Sequence, residues 1–425
     1  MAAALRSFAR DRRRGRIRGI ASVCSAHPLV LRAALRFGRD EASPVLIEAT
    51  CNQVNHRGGY TGMRPAGFAA LVARIAAEEG CPHERVRLGG DHLGPNPWRD
   101  RPAEEAMAEA ERMVAAYVAA GFGKLHLDTS MGCLGEPAAL DDETTAARAV
   151  RLAAAAEAAA AGSGYPLPVY VIGTEVPPPG GADHSLIKLE PTDPEAARRT
   201  IAVHRRAFAE AGLPRAFARV IALVVQPGVE FGNRNVILYD RTRTAGLTLI
   251  LNDEPQFVFE AHSTDYQSTA ALSGLVEDGF AILKVGPELT FVLREALYGL
   301  DLIASELDPD YGMRPLAATM EALMLTEPRH WQRHYGGDEA DKRILRHYSL
   351  SDRIRYYWTD PKAEAAVARL FGTLAGRSVP APLFRQHLPG LVGMADLPFS
   401  PEVAVIRRIT ESLKSYHAAC APRDR

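Results

Sequence analysis

Neither sign of charge dominates this 425-residue chain, in which 50 Lys and Arg stand against 51 Asp and Glu. There is therefore no global electrostatic case for a nucleic acid or an anionic membrane as partner, and any anionic ligand has to be held locally. Long apolar runs are missing too: no stretch approaches the roughly 18 uninterrupted apolar residues that span a bilayer, and no apolar signal-peptide core follows the first basic residues. A soluble, cytoplasmic protein is the expectation. Cysteine is sparse. Cys24, Cys51, Cys81, Cys133 and Cys420 are odd in number, widely spaced and without a CxxC pair, which argues against a disulfide framework or a structural zinc ribbon. No GxGxxG follows the first β-rich run, and neither a Walker A loop nor a kinase Gly-rich loop occurs, which argues against a dinucleotide-binding domain and against a kinase.

What is present is an alternation of short β-rich runs with longer helical segments, the signature of parallel strands joined by crossover helices. The runs are 19–24 (GIASVC), 44–50 (PVLIEAT), 85–92 (RVRLGGDH), 124–130 (KLHLDTS), 169–175 (VYVIGTE), 219–226 (RVIALVVQ), 256–262 (QFVFEAH) and 281–286 (AILKVG). Crossover helices are expected at 65–79, 102–120, 144–161, 194–211 and 269–278; the Ala-dense 155–161 reads as helix because alanine loses little side-chain entropy there. Eight such units within about 290 residues predict a (β/α)8 TIM barrel over residues 1–290. The Arg-rich opening reads as a short solvated helix leading into the first strand. Beyond residue 290 the strand runs stop. A helical extension over 291–425 is expected to cap the barrel, with helices at 293–307, 314–325, 342–348, 363–374 and 401–418. The run 352–358 (DRIRYYW) reads as an aromatic packing surface or as a segment closing over the pocket.

In a parallel barrel, catalytic groups come from the carboxyl ends of the strands. Here those ends are polar: Ser25 and His27, then Glu48, Asn52 and Gln53, then Asp91 and His92, His126 and Asp128, Glu175, Gln226, Glu260 with His262 and Asp265, and Lys284. One buried His or Asp is ordinarily a satisfied core group. Polar groups at eight converging strand ends point instead to a site. Imidazole with carboxylate suits a divalent metal, Zn2+ first and Mn2+ or Co2+ as alternatives. His92, Glu175 and His262 are the candidate ligands, with Asp128 or Gln226 able to replace one of them. Asp91 is the candidate acid/base, with Asp128 and Asp265 as alternatives, a role in which proton transfer contributes about 10²–10⁴-fold. Asp128 reads equally as a partner that orients a ligand imidazole. Ser25, His27, Glu48, Asn52, Gln226, Lys284 and Gly286 are candidate substrate contacts. Lys284 and Gly286 open the eighth βα loop, where barrels commonly bind phosphate.

Several segments together resemble the non-catalytic, Z-type subunit family of class II tagatose-1,6-bisphosphate aldolases: VCSAHPLVL (23–31), LIEATCNQV (46–54), GGYTGM (58–63), GGDHLGPN (89–96), HLDTSM (126–131), GTEVPPPGG (173–181), LVVQPGVEF (223–231), EAHSTDYQ (260–267), LKVGP (283–287), REAL (294–297) and YSLSDRIRYYW (348–358). The resemblance implies a metal-dependent aldolase-type barrel acting in ketose-phosphate metabolism, as in galactitol or N-acetylgalactosamine breakdown. Two activities follow from it. One is metal-dependent C4 epimerisation, interconverting tagatose 6-phosphate and fructose 6-phosphate by retro-aldol and aldol steps. The other is a non-catalytic role supporting a class II aldolase catalytic subunit. The ring of ionisable groups favours catalysis, because keeping such groups buried without partners is costly. A free ketose is a third reading, decided by whether Lys284 or the 352–358 run reaches an anion. A homo-oligomer is compatible with all of these.

Overall fold

The computed structural model describes residues 2–173 and 189–424. Eight parallel strands close into a barrel: β1 (Ile20–Cys24), β2 (Val45–Thr50), β3 (Val86–Leu93), β4 (Lys124–Leu127), β5 (Val169–Gly173), β6 (Val220–Val224), β7 (Val258–Ala261) and β8 (Phe280–Val285). Each pairs with the next in chain order, and β8 returns to β1 through Ile282–Ile20 and Val285–Val23 register. The strands are nearly continuous apolar runs because both faces are covered, one by the barrel interior and the other by helices.

The helices follow from local signals. Asp142–Ser163 begins where the Asp141 carboxylate accepts the Thr144 N–H at 2.7 Å and ends at Gly164, whose φ of 72° suits a residue without a Cβ. Its buried face, Ala146, Ala149, Leu152, Ala153, Ala156 and Ala160, has helical spacing. The Ala-dense segment is thus an outer-ring helix, as expected.

Two features differ from the sequence reading. The opening helix, Ala2–Arg13, is not solvated: Leu5, Phe8 and Ala9 are buried against Leu46, Val169, Ile221 and Val258 at the amino ends of the strands, so it closes the barrel floor. Within the helical extension, Pro287–Leu307 follows β8 directly and is the eighth helix of the ring, so residue 290 lies inside an element. Pro401–Cys420 joins the same ring, packed between Pro28–Asp40, Thr269–Glu277 and Pro287–Leu307. Its end pairs as a short antiparallel strand, Arg423–Asp424 on Arg16–Ile17. The remaining C-terminal helices lie outside this layer, and they carry the turn Arg353–Tyr357 to the carboxyl-end mouth. There Tyr356 meets Tyr60 edge-on at 4.8 Å. Among the described residues no helix is long and apolar enough to cross a membrane.

Candidate active site

A cavity of about 670 Å³ opens at the carboxyl ends of the strands. Ser25, His27, Asn52, Asp91, His92, Asp128, His262, Asp265, Lys284 and Gly286 all line it. Glu48 and Gln226 do not: Glu48 lies below the cavity in a buried ion-pair array, and the Gln226 amide oxygen accepts the backbone N–H groups of Gly228 and Val229. Glu175 falls outside the described residues.

Consecutive strand residues normally face opposite sides. Asp91 and His92 nevertheless share the cavity, and the backbone shows why. Between Gly90 and Leu93 strand β3 carries one residue more than β4 does between Leu125 and Leu127, a bulge, and His92 sits at φ 48° in the left-handed region. Bulges of this kind re-aim side chains, and a non-glycine residue held there is strained. The ends of β3 and β4 are also pressed together, since a Cβ on Gly94 would lie 1.7 Å from the Asp128 carbonyl oxygen. Only glycine permits that approach, which brings Asp128 to His92.

Each imidazole in the cluster is oriented by a hydrogen bond. His92 Nδ1 lies 2.8 Å from Asp128 Oδ2, so Nδ1–H donates and Nε2 carries the lone pair, 3.7 Å from Asp91 Oδ2. His262 Nε2 is 3.1 Å from Glu260 Oε1, which leaves the lone pair on Nδ1. His126 Nε2–H donates to the Gly173 carbonyl at 2.9 Å, while its Nδ1 stands 3.1 Å from Asp91 Oδ1 and 3.2 Å from the His92 backbone nitrogen. The rings of His92 and His262 meet edge-on with centroids 4.7 Å apart. Asp91, His92, His126 and His262 each offer a ligand atom within 4.8 Å of the others.

Beneath them two lysines neutralise part of a carboxylate layer. Lys284 Nζ contacts Glu48 and stands 2.9 Å from Asp91 Oδ1, and Lys124 Nζ lies 2.7 Å from Glu48 Oε1 and 2.8 Å from Glu260 Oε2. The Lys124 contacts are ion pairs by distance, without aligned hydrogen-bond geometry. Lys124 and His126 stand two apart on β4, as do Glu260 and His262 at the end of β7, so each pair faces one way. Counting Glu48, Asp91, Asp128 and Glu260 against Lys124 and Lys284, with the imidazoles neutral as a metal ion requires of its ligands, these groups leave two negative charges in excess. A divalent cation balances that excess, and the donor set fits one: two imidazoles whose other nitrogens donate to carboxylates, beside a further carboxylate.

Electrostatics separates the carboxylates. Burial works to raise the Asp91 pKa, yet His92, Lys284 and His126 together hold it well below the usual range; Asp128 and Glu260 are likewise held low against burial, by His92 and by Lys124 respectively. Burial opposes protonation of His92, but Asp91 and Asp128 overcome it and raise its pKa. His262 is lowered to about 3 and His27 to about 4, both chiefly by burial, so both are neutral at physiological pH.

Asp265 differs from the other carboxylates. Burial, with Glu288 nearby, pushes its pKa up to about 7, and its Oδ1 accepts the N–H groups of Gly286 at 2.9 Å and Glu288 at 2.8 Å. It caps the helix Pro287–Leu307, and the Gly286 amide is thereby engaged. A raised folded-state pKa means that the folded chain keeps a proton which the unfolded chain releases near pH 4, so this group's stabilising contribution declines between about pH 4 and pH 7. Asp265→Asn, which can still accept both N–H groups, is expected to remove that decline, its unfolding midpoint gaining on wild type from pH 4 to pH 7 and levelling above. Thermal unfolding across this range checks it; parallel curves for the two proteins would show that Asp265 does not titrate in this window.

The strand-end reading reached most of these residues but passed over Lys124 and placed His126 outside the ligand set. The signal was available in KLHL, where a Lys and a His two apart in a short strand share one face.

The fold and site define a (β/α)8 barrel whose mouth carries an imidazole and carboxylate cluster able to hold a metal ion. Residues 5–421 match the family described as D-tagatose-1,6-bisphosphate aldolase subunit GatZ/KbaZ-like, and the chain belongs to that family. It is 58% identical over 419 residues, 99% of either chain, to a protein of Agrobacterium fabrum (strain C58 / ATCC 33970) named D-tagatose 6-phosphate 4-epimerase. A crystal structure from Sinorhizobium meliloti 1021, described as a "probable tagatose 6 phosphate kinase", superposes with a TM-score of 0.87 at 55% identity, covering 95% of this chain and all of the other.

Proposed function

We propose that this chain is a metal-dependent epimerase that inverts C4 of a ketohexose 6-phosphate, interconverting tagatose 6-phosphate and fructose 6-phosphate. The observation that carries the reading is the convergence of Asp91, His92 and His262 on one cavity, above a carboxylate layer that its two lysines neutralise only in part. The kinship with a protein named as this epimerase supports it. A kinase reading has no support from the residues, because no phosphate-cradling Gly-rich loop occurs in the sequence.

His92 and His262 are the residues that would hold the ion, with Asp91 and His126 close enough to complete or steady the set. Zn2+ suits these ligands best, and Mn2+ or Co2+ fits as well. When bound, the ion would supply Lewis-acid polarisation of the ketose carbonyl. Asp91, ionised by its cationic neighbours, accepts the C4 hydroxyl proton. The C3–C4 bond breaks, its electron pair passing to the C1–C3 fragment as an enediolate and leaving C4 as an aldehyde. The aldehyde turns its other face, the bond re-forms, and Asp91 returns the proton to the C4 oxygen. Lys284 keeps Asp91 charged and fixed in place, at the cost of some basicity.

The test is to incubate the purified chain alone with tagatose 6-phosphate and a divalent metal, following fructose 6-phosphate by a coupled assay. Product is expected, lost on chelation and restored by added metal. No product from the chain alone, together with stimulation of a co-expressed class II aldolase catalytic chain, would assign it the supporting role that the family description contains.

A further inference from the structure

The usual barrel site for a phosphate is closed here. The Gly286 and Glu288 amides are taken by Asp265, and the Lys284 ammonium is clamped by Glu48 and Asp91. His27, near pKa 4, adds no positive charge. A phosphate ester entering the cavity also meets the carboxylates of Asp91, Asp128 and Asp265 on its walls. The cations that remain on the cavity wall are Arg99, which is exposed, and Arg353 and Arg355 on the turn Arg353–Tyr357 across the mouth.

We infer that Arg355 binds the phosphoryl group of the substrate, a phosphomonoester dianion, with Arg353 on the same turn beside it. Both side chains line the cavity. Among the described residues no carboxylate lies within ion-pair distance of Arg355; an acidic group that acts on it, Asp352, is buried and raised to about 7 by that burial. The guanidinium is nonetheless held in place. Its Nη1 donates to the backbone carbonyls of Ser351 and Asp352, and its Nη2 donates to the Tyr356 hydroxyl at 3.0 Å. The Tyr60 phenol stands beside it and, pushed up to about 12 mainly by burial, stays protonated and able to donate. A guanidinium fixed by backbone carbonyls, without an ion-paired carboxylate among the described residues and flanked by two phenols, is a preorganised anion receptor, with the fork geometry that phosphate oxygens match. It also orients the substrate, with the phosphate outward at the turn and C2 to C4 inward at Asp91 and His92.

This inference rests on the ketose-phosphate reading above, and binding can test it without turnover. Fructose 6-phosphate and fructose are titrated calorimetrically into the purified full chain, wild type and Arg355→Gln, and the readout is the ratio of the two affinities. Loss of one charge-assisted contact is expected to shrink that ratio by about 10- to 100-fold. Arg355→Lys, which keeps the charge without the fork, should shrink it less, and it decides the matter if the Gln variant does not fold. A ratio that survives substitution overturns the inference, as does a wild-type chain that binds fructose 6-phosphate no better than fructose. A ratio lost on substitution in a chain with no C4 epimerase activity leaves the phosphate subsite standing and removes the reaction. Epimerisation with the ratio intact does the reverse.

Discussion

Replacing His92 by alanine is expected to lower the interconversion of tagatose 6-phosphate and fructose 6-phosphate by at least about 10³-fold, because several kcal/mol of Lewis-acid stabilisation leave with the metal. Metal content per chain, measured by elemental analysis after dialysis, should fall in parallel. The expectation rests on the imidazole's arrangement: Nδ1 is committed to Asp128 at 2.8 Å, which aims the other nitrogen toward Asp91 and the cavity. Asp128→Asn isolates the orienting bond, and its expected cost is milder, about 10- to 100-fold, as for partners of metal-bound histidines generally. An alanine variant at 92 that kept both its metal and its activity would remove His92 from the ligand set and with it the proposed centre.

The second large effect is on stability. Lys124→Met should destabilise the fold by about 3–5 kcal/mol, the usual consequence of deleting one partner from a buried charge pair. Lys124 is 1% exposed, and its ammonium is shared by Glu48 and Glu260, themselves fully buried. Removing it leaves two carboxylates facing each other with only Lys284 nearby. The double variant Lys124→Met, Glu260→Gln should recover part of the loss, since it removes a charge of each sign. Urea unfolding measures both. If the single variant unfolds at the wild-type midpoint, the array under the cavity is not a buried charge network of the kind described. The same experiment bears on function, since Glu260 also orients His262.

The sequence by itself determined the architecture. β-branched and aliphatic runs of four to eight residues, separated by segments of helical period, have few stable solutions besides a parallel barrel, and GGDHL or EAHSTD can be read as strand ends because the apolar run stops there. It also determined where chemistry is concentrated: Asp91, His92, His262 and Lys284 sit at carboxyl ends, where a barrel places its catalytic groups, and all of them line one cavity. What it left open is which way each polar side chain points. Gln226 turns back to cap its own loop, Asp265 caps the eighth helix, and Glu48 drops below the cavity to meet Lys124 and Lys284. Those outcomes, and the convergence of Asp91, His92 and Asp128, depend on pairings between residues up to 236 positions apart, on a one-residue bulge in β3 and on a glycine pressed against a neighbouring backbone. The N-terminal helix shows the same division. Its helical character is local and legible, whereas its burial under the barrel depends on an apolar floor assembled from strands far along the chain. Local propensity and periodicity act over a few residues and survive in a one-dimensional string. The radial direction of a side chain is set by strand register and close packing, which exist only once the barrel has closed.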